Sequence, residues 1–245
     1  MRVTSRPGVI DIHSHVLYGM DDGAVNPEMS VQMLEQYAVQ GVTDVFCTPH
    51  SDCRLSCYRQ HFDELQQRIA QRGLPVRIHT GCEIACSPAR MYRIAQALTD
   101  GTMPTLADSG FALIEFDPYD AGRDIVCCAE YLRTHTDFQV VIAHTERCKC
   151  LAADDAAVTR LLELGCYFQI NAYSLTAEKD ENIRGFARQL LARKAVTFLG
   201  SDAHRTDHRP PDIRSGADYV FSACNAAYAL NVCGRNAARL LLGCG

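Results

Sequence analysis

A parallel α/β fold, closed or nearly closed into one barrel, is the class this sequence predicts, on three observations. Short β-branched and aromatic runs alternate with longer stretches of helical periodicity along the 245 residues, the pattern of repeated βα units. No Pro/Gly/Ser linker, low-complexity tract or internal repeat divides the chain, and its length suits a single α/β domain over residues 1–245. No Gly-x-Gly-x-x-Gly follows the first strand, which leaves the alternative, a doubly wound open sheet of the dinucleotide-binding kind, without support.

Strands are expected at residues 9–12, 42–48, 77–81, 111–116, 139–143, 166–170 and 197–200, with helical sequence in the gaps. The clearest helix follows the first strand. Asn26 is its N-cap, Pro27 takes the first helical position, Met33, Leu34 and Tyr37 line one face, and Gly41 stops it. Helical patterns over 213–230 and 233–242 close the chain.

Composition narrows the function classes. With 47% hydrophobic and 22% charged residues the chain is globular, and a net charge of −5 without a run of Lys or Arg offers no footprint for nucleic acid or an acidic membrane surface. Any anionic ligand must therefore be caught locally. No apolar stretch is long enough to span a bilayer, and residues 1–7 are too short and polar for a signal peptide, so a cytoplasmic protein without membrane insertion is expected. The thirteen cysteines are an odd count spread over the chain and read as reduced core residues, not as a disulfide scaffold.

The unusual polar residues follow the strands. His13 and His15 end the first, His50 follows the second, Glu83 the third; Glu115 ends the fourth, His144 follows the fifth, and Asp202 and His204 the seventh. In a parallel barrel the C-terminal strand ends converge on one mouth, so residues distant in sequence become neighbours. Imidazole with carboxylate suits manganese, iron or zinc, whereas a closed structural zinc site would favour thiolate. With Asp22 there are five histidines and four acids, more than one ion needs; two or three ions sharing a bridging carboxylate would use them. Four carboxylates and three divalent cations leave about two positive charges, which attract a phosphate dianion. Arg147 and Arg209 would add bidentate guanidinium forks. A carboxylate at Glu115, in an otherwise apolar strand, is costly unless paired or ligated, whereas Asp21-Asp22-Gly23 is also ordinary turn chemistry.

In order, Asp11-Ile-His-Ser-His15, Met20-Asp-Asp-Gly23, Thr48-Pro-His50, Gly81-Cys-Glu83, Leu113-Ile-Glu-Phe116, Ala143-His-Thr-Glu-Arg147, Gln169-Ile-Asn171, Ser201-Asp-Ala-His204 and Arg209-Pro-Pro211 resemble the polymerase-and-histidinol-phosphatase (PHP) superfamily. Within it they resemble the CpsB/YwqE-type protein-tyrosine phosphatases of bacterial capsule and exopolysaccharide systems. The resemblance runs from about residue 9 to 242. It implies a distorted (β/α)7 TIM-like barrel and three divalent ions, manganese first, with iron or zinc as alternatives. His13, His15, Glu83 and Asp202 would hold one ion, Glu83, Glu115 and His144 a second, and Asp22, His50 and His204 the third. Arg147 and Arg209 would bind phosphate. The nucleophile would be a metal-bridging hydroxide, and the substrate a phosphotyrosine protein such as a cognate bacterial tyrosine kinase. Other PHP branches commonly carry a third His soon after His-x-His, where this chain has Asp21-Asp22-Gly23; that favours the tyrosine phosphatase over the alternative, a small-molecule enzyme such as histidinol phosphatase. Residues 51–58 have no counterpart in the pattern, and His61, His79, His135 and His208 read as structural or exposed.

The rival chemistry is cysteine-based, because Cys-x5-Arg occurs at Cys53–Arg59, Cys127–Arg133 and Cys233–Arg239. That mechanism needs a Gly-rich phosphate loop between strand and helix, which Cys127 and Cys233, in helical patterns, and Cys53, in a loop without glycines, do not have.

Overall fold

Eight strands, all paired in parallel, form two sheets in the computed structural model, which describes residues 8–53 and 55–242. The opening heptapeptide, residue 54 and the last three residues, with Cys244, lie outside the described residues. The first sheet runs in the order β1 (Val9–Ser14), β2 (Val42–Cys47), β3 (Arg77–Thr80). The second runs β4 (Glu83–Ala85), β5 (Phe111–Glu115), β6 (Gln139–Ile142), β7 (Tyr167–Asn171), β8 (Val196–Gly200). Strand order follows sequence order in both, so neither sheet has the reversal that defines a doubly wound fold.

Among the described residues two isolated bridges link the sheets. At one, a bridge between Ser14 and Ala203 is flanked by bonds from the His15 N–H to the Ala203 carbonyl and from the Asp202 N–H to the His13 carbonyl, both 2.8 Å. At the other, His50 bridges Glu83, whose N–H donates to the Pro49 carbonyl at 2.9 Å and whose carbonyl accepts from the Ser51 N–H at 2.8 Å.

Helix α1 (Pro27–Val39) follows β1, and α2 (Tyr58–Arg72) follows β2. No helix separates β3 from β4; α3 (Met91–Thr99) comes after β4 and α4 (Gly122–His135) after β5. The remaining helices are α5 (Lys149–Ala153) and α6 (Asp155–Glu163), α7 (Ala172–Thr176) and α8 (Glu181–Ala192), then α9 (Arg214–Ala223), α10 (Ala226–Leu230) and α11 (Asn236–Leu240). The signals read for α1 all operate: Asn26 is extended and its Oδ1 accepts from the Met29 N–H at 2.9 Å, Pro27 opens the helix, and Gly41 takes φ 75° just beyond it.

Two apolar layers hold these elements. Ile10, Ile12, Phe46, Leu113, Val141 and Phe198 meet on one side of the strands, with Ala237 and Leu240 of α11 packed against them. The larger cluster lies between the strands and the remaining helices. Strands covered on both faces read as near-continuous apolar runs, and all six residues of β1 are buried. Three expectations change in detail. Glu83 does not trail the third strand but begins a strand of its own, the chain breaking at Gly81–Cys82. The pattern over 213–230 is two helices, because Asn225 interrupts it and caps α10 by accepting from the Tyr228 N–H at 3.0 Å. The pattern over 233–242 begins in a π-turn, Asn231–Arg235, and continues as α11. Among the described residues no helix is long and apolar enough to cross a membrane.

Candidate metal centre

The nine expected His, Asp and Glu side chains come from strand ends and the loops that follow them, and they lie together. His13 and His15 are carried on β1, Glu83 opens β4, Glu115 ends β5, and His144 follows β6, with Asp202 and His204 in the loop after β8. Nε2 of His13 and of His15 each stand 3.3 Å from Glu83 Oε2, and 3.7 and 3.4 Å from Asp202 Oδ1. His144 Nε2 is 2.7 Å from Glu83 Oε1 and 3.7 Å from Glu115 Oε1. His50 turns Nδ1 to Glu83 Oε2 (3.1 Å) and Glu115 Oε2 (3.7 Å), and Nε2 to Asp22 Oδ1 (3.7 Å). His204 Nε2 completes that end, 3.4 Å from Asp22 Oδ1. Asp22 is the outlying member, with 67% of its side chain exposed.

The donor atoms fit cations. His13 Nε2, His15 Nε2 and Glu83 Oε2 are buried, face one another and make no hydrogen bond, which in a solvent-excluded site is costly unless something else satisfies them. Donors about 2.0–2.2 Å from a shared ion stand roughly 3–3.6 Å apart, close to the spacings here. The donors that lie within one ion's reach form overlapping sets: His13/His15/Asp202, His13/Glu83/His144, His50/Glu83/Glu115 and His15/Asp22/His50/His204. They match the expected three-ion division in part, with Glu83 shared between sets as a bridging carboxylate would be.

Neighbours orient the rings. Gln169 Oε1 accepts from His13 Nδ1 at 3.1 Å and from the His144 N–H at 2.8 Å, so His13 presents Nε2 to the cluster. Asp21 Oδ2 does the same for His15, accepting from Nδ1 at 2.7 Å, and also accepts the His50 N–H at 2.9 Å. Such carboxylate and amide partners fix tautomer and ring orientation in metal sites. Gly23 is required beside them, because a Cβ there would collide with the His15 carbonyl and Cβ. Asn171 lines the site, donating Nδ2 to Asp202 Oδ2 at 3.0 Å and accepting from Gln169 Nε2 at 2.9 Å. Sequence reasoning gave Asp21 and Gln169 no role, although both lie within the motifs quoted for the site; their signal was position alone.

Arg147 and Arg209 both reach Asp202 Oδ2, from Nη1 at 3.3 and 2.8 Å, and Arg209 Nη2 donates to His204 Nε2 at 2.8 Å. Their side chains stay 38% and 40% exposed, so each spans from the buried carboxylate to the surface. His144, Asp202 and Arg209 take left-handed backbone, φ 27°, 54° and 49°. That conformation is unfavourable for residues with a Cβ and collects at functional sites.

Electrostatics of the bare cluster favour positive charge. Burial works against a charged His13, but the negative charges of Glu83 and then Asp202 outweigh it and push the imidazole up to about 9. Burial likewise opposes ionisation of Asp21, yet the His15 hydrogen bond and charge bring it down to about 2. Glu115 is raised by burial and by the Glu83 charge. His204 is held down at about 4 by burial first, then by its cationic neighbours His15 and Arg209, leaving a neutral imidazole.

The cysteine alternative lacks its setting. Burial pushes Cys53 up to about 11 and Cys233 up to about 12, and Cys127 is exposed on α4 with no phosphate loop around it. All cysteines among the described residues are free.

The family described as capsular polysaccharide synthesis, CpsB/CapC, matches residues 9–242. The chain belongs to the CpsB/CapC family. This CpsB/CapC chain is 31% identical over 233 residues to the tyrosine-protein phosphatase CpsB of Streptococcus pneumoniae, covering 90% of the chain and 93% of that relative. It is 30% identical over 212 residues to the tyrosine-protein phosphatase YwqE of Bacillus subtilis, covering 82% and 79%. Among solved structures, one from a study of YwqE from Bacillus subtilis and CpsB from Streptococcus pneumoniae, described as unique metal-dependent tyrosine phosphatases, superimposes with a TM-score of 0.85 at 26% identity, covering 96% and 95%. A histidinol phosphate phosphatase from Lactococcus lactis shares the fold, with a TM-score of 0.58 at 15% identity over 88% and 92%.

Proposed function

We propose that this CpsB/CapC-family chain is a metal-dependent protein-tyrosine phosphatase serving capsule or exopolysaccharide synthesis in the cytoplasm, with a cognate bacterial tyrosine kinase as substrate. The observation that carries the reading is the set of buried donor atoms, His13 Nε2, His15 Nε2 and Glu83 Oε2, that face one another with no hydrogen-bond partner. His13, His15, Glu83 and Asp202 would hold one divalent cation, Glu83, Glu115 and His144 a second, and Asp22, His50 and His204 a third, manganese being the first choice and iron or zinc the alternatives. When bound, such cations lower the pKa of the hydrolytic water towards neutrality and neutralise charge on the phosphoryl oxygens.

The chain's own groups do the rest. Gln169 and Asp21 hold the His13 and His15 rings with Nε2 inward. Arg147 and Arg209, anchored on Asp202, offer their exposed N–H groups to the phosphate, the bidentate role for which guanidinium is suited. A tyrosine leaving group, with a pKa of about 10, departs without a strong general acid. The two sheets are read as one distorted (β/α)7 barrel spanning a single domain, β3 and β4 being halves of a broken strand; the Ser14–Ala203 and His50–Glu83 bridges support that reading.

Turnover of a phosphotyrosine peptide and of histidinol phosphate, measured side by side in manganese buffer, tests the substrate class. The peptide should be the better substrate, a chelator should abolish its hydrolysis, and Cys53→Ser, Cys127→Ser and Cys233→Ser should retain it. Preference for histidinol phosphate would overturn the substrate class, and chelator-resistant, cysteine-dependent turnover would overturn the chemistry.

A further inference from the structure

Tyr37 belongs to the apolar face of α1, yet its hydroxyl reaches the seam between β1 and β8. It donates to Ser14 Oγ at 3.1 Å and lies 2.7 Å from Ser201 Oγ. Tyr37 and Ser14 are fully buried and Ser201 nearly so, which leaves no room for water to replace these bonds. Ser14 stands between His13 and His15, and Ser201 directly precedes Asp202-Ala203-His204.

Either hydroxyl can be the donor between Tyr37 and Ser201. Ser201 Oγ also accepts from the Ala203 N–H at 3.0 Å and stands 3.4 Å from the His13 carbonyl, to which it can donate. A chain thus runs from the backbone between Asp202 and His204, through two hydroxyls, to the side chain between His13 and His15. Asp11 braces it, accepting the Ser201 N–H at 2.9 Å and the His13 N–H at 3.1 Å. Packing alone does not explain the hydroxyl, since a Phe at position 37 would fill nearly the same volume, and a buried hydroxyl is costly unless bonded. The left-handed backbone at Asp202 does call for it, because such a conformation persists only where the surroundings over-determine it.

We propose that Tyr37 is a positioning residue of the metal centre. Its hydroxyl clips the His13-Ser14-His15 strand end to the Ser201–His204 turn, so that donors from the two segments keep the spacing a shared cation needs. The inference rests on the reading of the cluster as a divalent-metal site.

The test compares chelator-stripped wild type, Tyr37→Phe and Leu34→Ala, the last a buried α1 residue outside the hydroxyl chain. Each is titrated with Mn2+ alone by calorimetry, and its thermal unfolding is followed. Tyr37→Phe should bind Mn2+ about 10–100-fold more weakly, the range for losing a partner that orients ligands. Leu34→Ala should unfold earlier and still bind with wild-type affinity. Ser14→Ala, which breaks the same chain at the strand, should reproduce the Tyr37→Phe loss, and the double variant should add little to either, as expected of coupled residues. If Tyr37→Phe yields no folded protein, Ser14→Ala against Leu34→Ala carries the same comparison. Wild-type affinity in the hydroxyl variants, or equal weakening by Leu34→Ala, overturns the inference while the metal reading stands. A wild type that binds no Mn2+ overturns both.

Discussion

His13 illustrates how a residue can be prepared for a cation by its neighbours. Gln169 occupies Nδ1 and leaves Nε2 facing Glu83 and Asp202, whose negative charges push the imidazole up to about 9. Without metal, His13 carries a proton at neutral pH, and a cation must displace it, so loading releases protons and weakens as pH falls from about 9. Calorimetric titration of the stripped protein with Mn2+ at pH 7, in two buffers of different ionisation enthalpy, should report at least one proton released per protein; an identical heat in both buffers would contradict it. Asp21 and Gln169 act on the same atoms from behind, and nothing in residue type distinguishes them in sequence from turn or strand residues. Eight of the cluster residues were legible because each stands at or just beyond a strand end, whereas Asp22, in the loop between β1 and α1, was legible only through the resemblance. The side chains that aim them were not, because orientation is a tertiary property.

Elements were legible in proportion to length and flanking chemistry. Helix α1 carried its N-cap, first-turn proline and terminal glycine in plain view, whereas β4 is three residues, too short for a period of two to register. The break at Asn225 hid inside continuous helical periodicity, since a capping residue and a solvated helix residue look alike until the backbone turns. Packing between elements sets constraints of its own. At Gly216 in α9 a Cβ would lie 2.6 Å from the Ala172 Cα and Cβ, at the start of α7, whereas at Gly185 in α8 it would meet nothing within 4 Å. Gly216→Ala should therefore destabilise by about 1–3 kcal/mol through overpacking. Gly185→Ala should stabilise by up to about 1 kcal/mol through helix propensity. Thermal unfolding of the two variants checks this, at roughly 2–4 °C per kcal/mol for a chain of this size; equal shifts would show that the α7–α9 contact is looser than its geometry.

On the scale of the whole molecule, charge is concentrated where two sheets meet. His13 and His15 come from the first sheet and His50 from the loop after β2, while Glu83, Glu115, His144, Asp202 and His204 belong to the second sheet and its loops. Removal of bound cations should lower the unfolding temperature as well as abolish activity. A ligand at a hundred times its dissociation constant adds about 2.7 kcal/mol per site, and differential scanning calorimetry with and without chelator measures it; an unchanged midpoint would mean that the cluster contributes nothing to stability. The two inter-sheet bridges, Ser14–Ala203 and His50–Glu83, lie beside these donors. On the metal reading the ions are rivets as well as reagents. A cell starved of the metal would then not store an intact, idle enzyme awaiting refill. It would hold a chain parting along its joints and open to proteases, so that metal supply sets how long the protein lives as well as how fast it works.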